Sequence, residues 1–434
     1  MVETVAGFAH WEIGFDAAGE AVAAEQAERL RDGVRDEQLT DLFVVAHGWN
    51  NDRTVARSLY RRFFTEVRAV LDDRGSGAGR RVGTLGVVWP SMRWADEEVP
   101  GEGGAAALGG PASDRELVGS LKAVLTASKQ RAALDELGRL LEERPRSDEA
   151  LGRFQELMRQ VATGPDAGAA PEDGGEVALL TGEPREVFTR FADEAPADGG
   201  EGGAAGLGDA FSRLWAGAKE ALRQATYWQM KKRAGLVGER GLGPLVGHLH
   251  ADAPELRVHL VGHSFGARLV SFCLAGLPPA ALEPRSPVKS VLLIQGAFSH
   301  FAFAEELPHD RSRSGALAGM AARVDGPLVV SHSVFDTAVG RLYPLASIAS
   351  GQDAAAMDDL LYRWGAIGHD GAQAVGAAAA RLGTVGAGYE FRAGRFLNVD
   401  ADEVIRSGQP PSGAHSDIFH PELAWVAVAA AGIA

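Results

Sequence analysis

Five stretches of the chain are dense in β-branched and apolar residues and break at Gly, Ser, Pro or Asp, the pattern of buried strands. They are Leu42 to Ala46, Val82 to Trp89, "ELRVHLVGHS" ending at Ser264, "VKSVLLIQGAF" from Val288, and "GPLVVSHSVFD" ending at Asp336. A sixth, "YEFRAGRFLNVDADEVI", reads as a last strand or a hairpin, and "VAGFAHWEIGFDAAGE" near the start alternates like an edge hairpin with its turn at Asp16 to Gly19. Between the first two strands Val55, Leu59, Phe63, Val67 and Val70 recur at helical spacing, and Gly75 supplies a stop. A strand, a helix and a strand in succession predict a parallel sheet with crossover helices.

The pattern changes from about Ala95 to about Gly247. Gly-, Ala-, Pro- and acid-rich runs such as "VATGPDAGAAPEDGGE" alternate with helical periodicity around Leu117 to Leu141, Leu151 to Val161 and Phe211 to Lys232. Residues 95–245 therefore read as a helical insertion between two halves of an α/β domain, 1–94 and 246–434, with an acidic part near 165–208 expected to be disordered and mobile. The last of these helices carries Phe211, Trp215, Leu222 and Trp228, an apolar face suited to covering a cleft as a cap.

Composition narrows the functional classes. With 434 residues the chain is long enough for a large domain with an insertion, and 46% hydrophobic residues supply its core. A net charge of −15 argues against nucleic acid or an anionic membrane as the main partner. The single cysteine, Cys273, excludes an internal disulfide and falls on an apolar helix pattern, as a buried thiol would. No apolar run has the length of a membrane span, and the first residues lack the pattern of a secretion signal, so a cytoplasmic location is expected. The twelve histidines show no spacing that would hold a metal; "GHLHAD" at His248 to Asp252 reads as a solvated loop.

Chemistry enters at Gly262-His263-Ser264-Phe265-Gly266. Val258, Leu260 and Val261 precede it as a strand, and Ala267, Leu269, Val270 and Phe272 follow as a helix, so the chain must turn sharply at Ser264 between two residues without side chains. This is the nucleophile-elbow pattern, which exposes a serine hydroxyl at a helix N-terminus. A nucleophilic serine needs a base, and the base needs a carboxylate to hold its tautomer. Asp336, past the end of a strand, and His415, ahead of the last helix, follow in the order that this elbow uses. Asp400 on the last strand is a second candidate for the acid; Asp325 lies at the wrong strand end and Asp417 suits a turn. His263, His47, His369 and His420 suit orienting, loop or capping positions better than a base. The loop "HGWNN" at His47 to Asn51 stands where an oxyanion hole needs its second donor, so Trp49 and Phe265 would supply backbone N–H groups. Gly48 would allow the close approach, and Asn50, Trp89, Trp215 and Trp228 would line the substrate site with it.

These residues resemble the α/β-hydrolases, and "HGWNN", "WPS" at Trp89 to Ser91 and "GHSFG" together are similar to a bacterial group with HGxNN, WPS and GHSxG motifs. The resemblance spans roughly residues 38–95 and 250–430 and leaves out the insertion. It implies an α/β fold with a mostly parallel sheet flanked by helices, and a serine hydrolase that needs neither cofactor nor metal. The substrate expected is a small-molecule carboxylic ester, cleaved through an acyl-enzyme in the manner of carboxylesterases and lipases. The same triad serves peptidases and amidases, and a silent binding protein on this fold is a further alternative that the intact order of Ser264, Asp336 and His415 disfavours.

Overall fold

The computed structural model describes residues 3–49, 51–75, 79–91, 114–125, 127–162, 182–194, 207–342, 365–408 and 413–434. Strands β1 (Glu3–Val5), β2 (Phe8–Gly14), β3 (Asp41–Ala46), β4 (Val82–Val88), β5 (Arg257–His263), β6 (Val288–Ile294), β7 (Leu328–His332), β8 (Ala378–Arg381) and β9 (Phe396–Asp400) form one sheet in the order β1-β2-β4-β3-β5-β6-β7-β9-β8. Only the β1–β2 pair is antiparallel; the pairs from β2 to β8 across the sheet are parallel. Parallel strands buried on both faces need apolar residues at every position, and β3 is buried throughout.

The two faces separate by the strand period of two. Leu42, Val44 and Ala46 of β3 face a core shared with α1 (Ala24–Asp36) and α9 (Phe265–Gly276), whereas Phe43 and Val45 face a second core with α2 (Arg53–Arg74) and α11 (Pro421–Ala430). Asp52 starts α2 by accepting the N–H groups of Thr54 and Val55, and Gly75, at φ 58°, ends it as the sequence pattern predicts.

One expectation near the start is corrected, and one element there was not expected. The hairpin joins β1 to β2 and turns at Ala6-Gly7, both at positive φ, while Asp16 to Gly19 turns the chain after β2, which then runs parallel beside β4. Residues 24–36 form α1, an element whose pattern is faint because only Leu30, Gly33 and Val34 are buried; a Cβ on Gly33 would lie 2.3 Å from the Trp11 ring.

The insertion contributes α3 (Asp114–Val124), α4 (Ser128–Glu143), α5 (Asp148–Ala162), α6 (Pro184–Glu194) and the long α7 (Leu207–Leu236). Most of the acidic part expected to be mobile, 165–208, lies outside the described residues, but Pro184–Glu194 within it is helical. Phe154, Phe188 and Trp215 pack edge to face as this layer's own core. A π-helical segment, Val237–Leu242, continues α7 into α8 (Gly243–Asp252), so "GHLHAD" ends a helix and is not the loop expected; Asp252 there pairs with Arg31 of α1.

This π segment lies directly on α9. A Cβ on Gly238 would stand 2.1 Å from the Leu269 carbonyl oxygen, and one on Gly276 would stand 1.9 Å from that of Glu239. Backbone meets backbone on both sides, so neither neighbour can yield cheaply. Gly238→Ala is therefore expected to destabilise the protein by about 1–3 kcal/mol, whereas Gly152→Ala, in α5 with nothing within 4 Å of the new methyl, should gain up to about 1 kcal/mol. Urea unfolding of the two variants checks the pair, and equal effects would refute this account of the contact.

Candidate active site

Strand order determines where a site can form. From β3 the chain goes to β4 on one side and later returns to β5 on the other, so the loops leaving β3 and β5 diverge and open a crevice at their carboxyl ends. Ser264 ends β5 and the His47-Gly48-Trp49 loop ends β3.

Ser264 sits at φ 57° and ψ −121°, a conformation that a non-glycine residue holds only under constraint. The constraint is visible on both sides of it. A Cβ on Gly262 would lie 2.3 Å from the Gly266 carbonyl oxygen, and one on Gly266 would lie 2.0 Å from that of Ala46. The Ser264 N–H donates to the Ile294 carbonyl at 3.1 Å, and the Ser264 carbonyl accepts the N–H of Ala297 at 3.2 Å. Gly48 closes the other side: a Cβ there would meet the serine's own Cβ at 2.6 Å and Oγ at 3.1 Å. The loop thus touches the serine only because Gly48 is bare. Phe265 opens α9, so its N–H is among those with no partner inside the helix.

The loop is held from behind. The His47 Nδ1–H donates to the Gly48 carbonyl at 2.8 Å, which leaves Nε2 to accept the Trp89 N–H at 3.4 Å. Trp89 stacks on that imidazole at 5.6 Å and donates its indole N–H to the His47 carbonyl at 3.0 Å. Asn51 donates its amide to the Trp49 carbonyl at 2.8 Å and the Gly48 carbonyl at 3.2 Å. Trp89, expected in the substrate lining, is 2% exposed and braces the loop instead. Asn50 lies outside the described residues.

Asp336 and His415, 79 residues apart, meet at 2.8 Å between Oδ2 and Nδ1. The carboxylate is fully buried; the ring is 15% exposed. A carboxylate only accepts, so Nδ1 carries the proton and Nε2 is the basic nitrogen. His263 ties this pair to the elbow: its Nε2–H donates to the His415 carbonyl at 2.8 Å, with the two rings 4.9 Å apart. Asp400 stands one strand further out, opposite His332 in the ladder, where its Oδ1 accepts the Asp402 N–H. Asp417 joins His420 at 2.8 Å and accepts the Ser407 N–H, which steadies the turn before α11. His369 pairs with its neighbour Asp370 at 2.7 Å, and that carboxylate raises its pKa.

The insertion reaches the site through a residue that sequence reasoning passed over. Tyr227 of α7 lies with its ring centroid 5.4 Å from that of Trp49 and 4.7 Å from that of Phe265. Trp215, expected in the lining, donates to the Pro145 carbonyl at 3.1 Å inside the insertion, and Trp228 is buried in apolar core. Gln295 was also missed; its one sequence signal is an amide closing the apolar run "VLLI". Among the described residues no group of three or more His, Cys, Asp or Glu side chains converges to hold a metal, and no helix is long and apolar enough to cross a membrane. Burial pushes the Cys273 thiol pKa up. Comparison with protein-family models, with curated proteins and with solved structures found no match for the chain.

Burial lowers the His263 pKa to about 3 and that of His47 to about 4, from 6.5. Burial thus holds both rings neutral near neutral pH. The unfolded chain binds protons at these positions below pH 6.5 that the folded chain excludes, so their contribution to stability is complete above that pH and falls as the pH drops. Burial lowers the His10, His259 and His332 pKa values in the same direction, and His369, shifted the other way, offsets part of this. Between pH 7 and 5.5 the unfolding free energy is expected to fall by about 2 kcal/mol, measured by urea titration. A flat profile would show that these rings are not held neutral.

Proposed function

We propose that the chain is a serine hydrolase that cleaves carboxylic esters through an acyl-enzyme. The observation that carries the reading is the Asp336–His415 hydrogen bond, joined through His263 to a strained serine that the Gly48 loop touches. Three segments distant in sequence, carrying Ser264, Asp336 and His415, are thereby linked, which supports the order of proton transfer that a nucleophilic serine needs. Ser264 Oγ attacks the acyl carbon as His415 Nε2 takes its proton. The imidazolium formed is stabilised by the ionised Asp336 that holds its Nδ1–H. Negative charge develops on the former carbonyl oxygen, where the N–H groups of Phe265 and Trp49 stabilise it, a contribution on the order of 3 kcal/mol per donor. His415 returns the proton to the leaving alcohol, and a water activated by the same nitrogen releases the acid.

A fluorophosphonate probe is expected to label Ser264 and no other residue, and Ser264→Ala should lose both label and turnover of activated esters while remaining folded. Asp336→Asn should cut kcat by roughly a thousandfold or more, because the ring would take the wrong tautomer; Asp400→Asn should change it less than threefold, on the order of 0.6 kcal/mol. An unlabelled serine sinks the hydrolase reading, and a larger effect at Asp400 moves the acid to β9.

The reading extends to α7 as part of a cap over the acyl pocket, supported by Tyr227 against the rings of Trp49 and Phe265. Losing that ring removes contacts worth about 1 kcal/mol. Tyr227→Ala should therefore lower kcat/KM for octanoate esters roughly fivefold and leave acetate esters nearly unchanged. Trp215→Ala should lower stability without altering the ratio. Equal losses on both chain lengths in Tyr227→Ala would rule out the cap.

A further inference from the structure

Asp336 makes more contacts than a relay to His415 requires. The Oδ2 that accepts the His415 Nδ1–H also accepts the amide Nε2–H of Gln295 at 3.2 Å, while Oδ1 accepts the Val339 N–H at 3.2 Å. Gln295 is fully buried at the carboxyl end of β6. Its φ is 46°, in the left-handed region that a glutamine occupies only when its surroundings hold it there. The amide has a defined direction: the Ser331 hydroxyl donates to Oε1 at 3.3 Å, so the nitrogen end faces the acid. The Gln295 N–H also donates to the Ser331 carbonyl at 3.3 Å. Gln295 is thus bound twice to β7 and once to the carboxylate that follows β7.

We propose that Gln295 is a positioning residue, which holds the Asp336 carboxylate so that Oδ2 faces His415 and, by sharing that oxygen, moderates how strongly the acid draws the imidazole proton. The kinetic part rests on the hydrolase reading; the geometric part does not. A carboxylate oxygen that accepts two hydrogen bonds has less charge to offer to either donor. Without the amide, Oδ2 would bind the His415 Nδ1–H more strongly and favour the protonated ring. The carboxylate would also be less restrained in rotation, and the ring would be presented to Ser264 less accurately.

Gln295→Met keeps the volume and removes the donor. Its kcat is expected to fall about tenfold with KM within twofold of wild type, and the acid limb of kcat/KM should move to higher pH by roughly half a unit. Ser331→Ala frees the amide to turn and should move that limb in the same direction by less; it serves alone if Gln295→Met does not fold. In 15N-histidine-labelled protein the His415 ring should titrate at correspondingly higher pH in both variants, a readout that needs no turnover. A glutamine that merely fills space would lower activity through the folded fraction and leave the acid limb and the ring titration unmoved; that result, or unchanged kcat with unmoved titration, overturns the proposal. If the ring titration moves in protein whose Ser264 ignores the fluorophosphonate, Gln295 keeps its role and the hydrolase reading fails.

Discussion

No carbon fits between the start of α9 and the end of β3, and the rest of the site depends on that exclusion. Gly266 faces the Ala46 carbonyl with no room for a methyl group, and Gly48 approaches Ser264 just as closely from the adjoining loop. These contacts drive the helix hard against the sheet, hold the serine in its unusual backbone conformation and bring Gly48 of the loop against its side chain. An alanine at either position would have to separate β3 from α9, and both Ser264 and its surroundings would move together. Strain at Ser264 is therefore a product of packing on three sides, stored in a sheet whose parallel pairing holds β3, β5 and β6 in register.

Around this point three histidines differ in how they are held. His47 and His263 are buried, neutral and committed as donors to backbone carbonyls, which makes them struts. His415 combines a fully buried carboxylate partner with a ring that is 15% exposed. Gln295 and Ser331 extend the arrangement outward from Asp336 to two strands, so the acid is oriented by the sheet as well as by its own loop.

Much of this is legible in the sequence because it is local or ordered along the chain. A serine between two glycines at a strand–helix junction, an aspartate past a strand end and a histidine ahead of the last helix need no distance information. The α/β class follows from strand-length apolar runs separated by helical periodicity. What stays hidden depends on phase or on long range. Along α7 the residues Trp215, Leu222, Tyr227, Trp228 and Met230 are all buried, so helical periodicity cannot say which aromatic meets Trp49 and Phe265; in the fold it is Tyr227. Gln295 meets its partner 41 residues later, and nothing in its neighbourhood foretells that. Helix α1 is faint because a glycine against Trp11 replaces the apolar residue that would have marked its face.

The junction between the insertion and the sheet has a mechanical consequence. Segments of 30, 6 and 10 residues run on without a break from Leu207 to Asp252, a rod of about 70 Å at ~1.5 Å per residue. Its fulcrum is the bare backbone contact at Gly238 and at Gly276, one on each side of the crossing with α9, and it ends just before β5, the strand that leads to Ser264. Such a member bends rather than hinges. A load on its far end at Leu207 would then be carried along the rod toward the strand that ends at Ser264.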